Sequence, residues 1–413
     1  MEDTLTQTST RPPNPAGAGL TGVFPMGLAA WIVTAVFMLS NSPTPLYVQW
    51  QDQLGFSSGM LTVIFAAYMV GLLVTLTVAG QLADRFGRKP VLIPGLVLAM
   101  VACGLFAFTS SVLVLVAARF LTGIAVGVIV SAGMAAVVDV GGPARHRQAS
   151  LAASVAMVLG AGLGPLLSGL FTQTLPDPAP IVFAVEFFLL ATALAVACVL
   201  PLRPPVSHPA ADRPRVPFRF QLPRVPRPNR HHLLYGIAVF APGITATSFV
   251  LALGPSLLAD LLHATSPFIA GAMASAMFLA ATGAQFAVHR LHVRSILLGS
   301  ISTTLAMMSL IIAVVVSNPA PLVLAALLAG IGQGLGQLGG LTLIGTNVPA
   351  NHRAEANAVL NIGGYIPAGI LSVATGYLID SVGLSVSVAL FAILLSLAAL
   401  TGGTLILRRF PRG

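Results

Sequence analysis

Charge is what this sequence has least of. Asp, Glu, Lys and Arg make up 8% of its 413 residues, against about 25% in an ordinary soluble domain. Hydrophobic residues fill 56% of positions and the mean hydropathy is +0.93. Such a chain is solvated mostly by lipid and reads as a polytopic membrane protein. Cysteine is nearly absent too. Cys103 and Cys198 lie far apart inside apolar runs, so neither a disulfide framework nor a metal site follows, and core packing explains both. The sequence also lacks a metal-spaced His/Asp cluster, a nucleophile elbow and a phosphate loop. That argues against a membrane-embedded enzyme and implies no cofactor and no metal.

What is present is a series of apolar runs, each long enough to cross a bilayer. The first follows a polar tail of roughly twenty residues and has no convincing cleavage site, so it reads as a spanning helix and not as a signal peptide. Six runs fall at 22–46, 57–80, 90–110, 113–138, 149–171 and 181–200, and six more at 234–258, 267–288, 295–316, 320–345, 356–379 and 384–407. The predicted organisation is a disordered tail over 1–20, a six-helix bundle over 21–200, a Pro/Arg-rich linker over 201–232, a second bundle over 233–407 and a short tail over 408–413. The fold class is therefore an all-α membrane protein of twelve transmembrane helices.

A net charge of +9 could suggest nucleic acid, but the placement of the basic residues points to a lipid surface. If alternate loops are assigned to opposite sides, nineteen of the twenty Lys and Arg residues share the side of the amino terminus, and Arg119 lies inside a run. The other side carries Asp52, Asp177, Asp260 and Asp380. This asymmetry predicts that both termini and the linker are cytoplasmic, in a cell (inner) membrane, with no nucleic-acid partner. The linker arginines suit anionic headgroups.

The two halves also repeat. Leu121–Gly127 aligns with Leu328–Gly334 at an offset of 207, and Pro143–Arg147 with Pro349–Arg353 at 206, about half the chain.

Between the second and third runs stands Gly80–Pro90, with Asp84, Arg85, Arg88 and Lys89 set in a tight polar turn around Gly87. Four charges there cannot enter hydrocarbon cheaply. The stretch resembles the loop signature of the major facilitator superfamily, Gly-x-x-x-Asp-Arg/Lys-x-Gly-Arg-Arg/Lys. The resemblance implies two pseudo-symmetric six-helix bundles with a substrate pocket at their interface. It also implies a cytoplasmic gate in which Asp84 faces the start of the eleventh helix, around Glu355–Leu360, and Arg88 pairs with Asp139. The corresponding second-half loop keeps His289, Arg290 and Arg294 but has no acid.

Two further stretches extend the resemblance. Arg119, Gly123 and Gly127, spaced by four in the fourth run, share a slowly rotating helical face. They are similar to the family's Arg-x-x-x-Gly signature, associated with proton coupling. The simpler reading is an arginine that snorkels to the outer headgroups. In the fifth run Gly160, Gly164, Pro165 and Gly169 resemble the antiporter signature Gly-x-x-x-Gly-Pro-x-x-Gly-Gly, with Ser168 in place of one glycine. Close helix packing alone would also keep those glycines.

Glu186 is a carboxylate well inside an apolar run, and such a group suits proton or cationic-substrate binding. An interfacial glutamate wetted by headgroups is the plainer alternative. Asn41 stands in the first helix, where related drug exporters often carry an acid, and Gln333 and Gln337 share a face of the tenth. These three are candidates for the substrate pocket, although interhelical hydrogen bonding would equally retain the glutamines. The expected protein is thus a monomeric secondary transporter of the multidrug-resistance type, exporting drugs or other lipophilic small molecules in exchange for protons. A sugar or metabolite exporter, or a proton symporter, is the alternative.

Overall fold

The computed structural model describes residues 22–202, 230–262, 266–288, 292–349 and 352–409. Among these the structure is entirely helical and contains twelve helices long and apolar enough to cross a membrane. The helices are α1 (Val23–Asn41), α2 (Tyr47–Leu54), α3 (Ser58–Phe86), α4 (Lys89–Ala107), α5 (Val112–Val128), α6 (Met134–Gly141), α7 (His146–Thr174) and α8 (Pro178–Val199) in the first half. The second half contains α9 (Arg230–Leu262), α10 (Pro267–Val288), α11 (His292–Val316), α12 (Pro319–Asn347), α13 (Arg353–Val382) and α14 (Leu384–Arg409).

Polar residues and glycines set the helix ends. Ser57, Ser111 and Asn318 cap α3, α5 and α12 by accepting backbone N–H groups of Met60, Val114 and Ala320, which satisfies donors left open at a helix start. Gly87, with φ of 95°, ends α3 in a region closed to other residue types. The polar turn therefore needs that glycine for a defined backbone shape.

Three features differ from the sequence expectations. The first span bends after Asn41, where Pro43 and Pro45 remove donors, and continues through a 3-10 turn (Thr44–Leu46) into α2. The fourth span is interrupted by a π-helical turn, Ile129–Gly133, between α5 and α6. The second half begins at Arg230, so 230–232 belong to α9 and not to the linker. Most of the expected linker and the tail over 1–20 lie outside the described residues.

The halves repeat one packing scheme. In the first, α1 packs on α7, α3 on α5, and α4 on both α5 and α8; in the second, α9 packs on α13, α10 on α12, and α11 on both α12 and α14. The glycines of the sequence repeat lie at the equivalent crossings. A Cβ at Gly123 would collide with the Tyr68 carbonyl oxygen, and one at Gly330 with that of Met277. Backbones approach closely where side chains are absent, which holds helices together when lipid offers no hydrophobic drive.

The bundles meet along α7 with α10 and α3 with α13. Along α7 the signature residues divide by face. Gly160 and Gly164 lie against the carbonyls of Thr34 and Met38 in α1, within the first bundle. Gly162 faces Ser275 of α10, whose hydroxyl donates to the Gly162 carbonyl oxygen, and Gly169 lies against Pro267. Gly271 of α10 in turn abuts the Pro165 carbonyl. One helix is thereby wedged between its own bundle and the other.

Candidate functional site

Away from the basic loops the bundles are joined. The Asp380 carboxylate accepts the N–H groups of Ser58 and Gly59, Ser256 donates to Gln51, and Ser266 donates to Gln173. On the other side of this seam lies a cavity with an empty volume of about 1140 Å³, its mouth included. It runs from Asn41 and Arg119 toward Leu76, Val130 and Gln337, in the halves of their helices that lead to the basic loops.

Both bundles line the cavity. From the first come aromatic and thioether groups, Phe37, Phe65, Tyr68, Met69 and Met157, together with Asn41 and Arg119. The second adds an amide cluster. Gln285 donates to the Gly334 carbonyl at 2.9 Å, and Gln285 and Gln333 both approach the Gln337 side-chain oxygen at 3.4 Å. Thr247, Asn361 and Tyr365 complete that wall. Gln285, Asn361 and Tyr365 escaped the sequence reading. An amide in an apolar run was the available signal for Gln285, but its direction around the bundle axis was not.

Arg119 is 1% exposed and does not reach the headgroups. A guanidinium inside a bilayer span costs up to about 3 kcal/mol on lenient scales, and among the described residues its surroundings offset this without an ion pair. One terminal nitrogen donates to the Ser40 carbonyl oxygen at 2.6 Å. The rings of Tyr47, Phe65 and Phe106 lie 5.0, 5.7 and 5.9 Å from the guanidinium carbon, within cation–π range. Among the described residues its Nε and other terminal nitrogen have no hydrogen-bond partner.

Glu186 is 3% exposed, so it is not wetted by headgroups either. Oε1 accepts the Ser42 hydroxyl at 2.6 Å and, among the described residues, Oε2 has no partner. Phe183, one turn earlier on α8, stacks on Phe106 and Trp50. Glu186 does not line the cavity. The bend at the end of α1 thus carries both contacts, its Ser40 carbonyl to Arg119 and its Ser42 hydroxyl to Glu186. Sequence reading singled out the two charges but not the serines that link them.

In the polar turn, Arg88 Nε lies 3.3 Å from Asp139 Oδ2. Both residues belong to the first bundle, so this ion pair does not itself cross to the second. Arg85 stacks over Phe86, and Lys89 donates to the Cys198 carbonyl oxygen. Among the described residues, nothing lies within 4 Å of a Cβ built at Gly80. The expected contact of Asp84 with the start of α13 falls on a side chain outside the described residues, as do His289, Arg290 and the Arg294 side chain. Among the described residues no group of three His, Cys, Asp or Glu could hold a metal.

Two six-helix bundles that repeat one packing scheme, joined on one face and parted around a cavity on the other, define a secondary-transporter architecture. Profile comparison places the chain within that class: the Major Facilitator Superfamily matches residues 26–370 and 237–412, and the chain belongs to this family of transporters. Its structure superposes on a peptide transporter POT in complex with sulfate with TM-score 0.75 and 14% identity, covering 96% of this chain and 97% of that one. The nucleoside transporter NupG gives TM-score 0.71 at 11% identity, with 94% and 99% covered. At such identities the likeness is one of fold. In sequence, the chain is 28% identical over 163 residues to the multidrug resistance protein MdtL of Escherichia coli and of Shigella flexneri. The match spans 39% of this chain and 41% of the length of those relatives.

Proposed function

We propose that this transporter exports small lipophilic molecules in exchange for protons, with Glu186 as the proton carrier and Arg119 as its coupling partner. The observation that carries this reading is the bend of α1, which bonds to both charges through Ser40 and Ser42. Gain or loss of a proton at Glu186 alters its bond to Ser42, and the same backbone segment borders the cavity through Ser40 and Asn41. Substrate and proton thus act on one mechanical element without touching, and each shifts the same two-state equilibrium. The antiporter-like glycines of α7 and the partial match to MdtL support export.

With the basic loops in the cytoplasm, as their charge bias favours, the described conformation faces inward. The turn around Gly80–Lys89, with Asp139, then belongs to the cytoplasmic gate. Asn41, Gln333 and Gln337 contribute to the substrate pocket, and a monomer suffices for the cycle.

Reconstitution in liposomes under an imposed pH gradient tests this. Neutral lipophilic compounds should discharge the gradient with wild-type protein and not with Glu186→Gln, which keeps the side-chain shape and removes the titrating group. Substrate movement without proton flux in either protein would refute proton coupling.

A further inference from the structure

The sign of charge in the cavity points beyond the general reading of an exporter. Among the described residues that line it, Arg119 is the single charged group and no Asp or Glu is present. The nearest buried acid identified, Glu186, is turned away behind the α1 bend and bonded to Ser42. Two nitrogens of Arg119 have no hydrogen-bond partner, and no carboxylate lies within ion-pair distance among the described residues. Its positive charge is therefore moderated by aromatic faces and a carbonyl oxygen, not cancelled.

From this asymmetry we infer that the cavity takes aromatic molecules that are uncharged or anionic and rejects lipophilic cations. The inference rests on reading the cavity as the substrate site. A cation bound about 10 Å from an uncancelled guanidinium, at an effective dielectric of about 20, loses about tenfold in affinity relative to an uncharged analogue of the same shape. An anion gains by a similar factor. The rest of the lining suits such ligands. Phe65, Tyr68 and Phe278 offer flat apolar contact, and Gln285, Gln333 and Gln337 offer amide hydrogen bonds to a polar end. Cation–π attraction to those rings would favour a cation, but Arg119 already occupies the Phe65 face.

The test is binding to the purified full-length protein by isothermal titration calorimetry, with three ligands built on one biphenyl body: an amide, a carboxylate and a quaternary ammonium. The cation is expected to bind at least tenfold more weakly than the amide, and the carboxylate at least as tightly. Arg119→Gln should bring the cation and amide within about threefold of each other. Because that variant could fail to fold, Asn41→Asp provides a second arm: it places an acid in the cavity at constant shape and should bring the cation to the level of the amide or tighter. A wild-type cation affinity within twofold of the amide, an Asn41→Asp protein that still rejects the cation, or no binding by any of the three would each overturn the inference. Binding needs no proton gradient, so failure of proton-coupled export leaves the order of affinities unchanged, and a failed charge order leaves the Glu186 experiment unaffected.

Discussion

The carboxylate of Asp380, at the end of α13, accepts the backbone N–H groups of Ser58 and Gly59 at the start of α3, at 3.0 and 2.8 Å. An anion at a helix start is favoured both by the free donors and by the helix dipole. Because α3 and α13 belong to different bundles, this bond latches them on the face away from the basic loops. Around it a Cβ at Gly59 would meet the Tyr377 ring, and one at Gly376 the Thr62 hydroxyl.

Asp380→Asn should weaken that latch by about 1 kcal/mol, an allowance reduced for its exposure. The population open on this face should rise about fivefold, read by pulsed electron spin resonance distances between labels on the ends of α3 and α13 at this face. An unchanged distance distribution would show that the latch does not hold the closed state.

Glycines at the two kinds of crossing should fail differently. Gly123→Ala overpacks α3 against α5 inside one bundle and should lower thermal stability, by about 1–3 kcal/mol. Gly271→Ala pushes α10 off the Pro165 carbonyl across the seam between bundles. It should shift the conformational equilibrium with a smaller change in Tm, measured by labelling of a cysteine placed on the face away from the basic loops. Equal losses of Tm would argue against a separable seam.

Ser42→Ala removes the Ser42 hydrogen bond from Glu186 and changes no residue lining the cavity. If Glu186 carries the proton as proposed, transport under a pH gradient is expected to slow by about tenfold, in line with losing a bond to a charged group, while substrate affinity stays within twofold. An affinity loss as large as the rate loss would place Ser42 in binding and not in coupling.

The Arg88–Asp139 pair is partly exposed, with side-chain exposures of 22% and 45%. Asp139→Asn should therefore cost well under 1 kcal/mol of stability, and the difference from wild type should shrink in high salt. Thermal melts at two ionic strengths check this.

Much of the architecture could be read from the chain because it follows from local composition. Span number follows from runs such as Val112–Val128, and the common packing of the halves from the spacing of Gly123, Gly127, Gly330 and Gly334. What sequence could not supply is direction around the bundle axis. Gln333 and Gln337 stood out as amides in an apolar helix, but Gln285 and Tyr365 face the same cavity and only packing between distant helices reveals it. The bend at Ser42–Pro43 was hidden for a related reason. Prolines predict a break, not which neighbouring helix the residues just before it face, and here Ser42 faces Glu186 of α8. Asp380 could be read only as a charge on the less basic side, since its partners are backbone groups 321 and 322 residues away in sequence.

The π-helical turn at Ile129–Gly133 amounts to one residue more than a regular helix would use. Each residue of an α-helix advances the chain by about 100° around its axis, so the turn sets the angular relation between everything before it and everything after it. Gly123 and Gly127 are aimed at α3, while Asp139, beyond the turn, is aimed at Arg88. Were Ile129–Gly133 wound as regular helix with every residue kept, the packing toward α3 would stay but Asp139 would swing about a quarter-turn away from its partner. That one-residue insertion is a phase shifter: it lets a single helix satisfy the packing face of a bundle at one end and the geometry of the polar turn at the other.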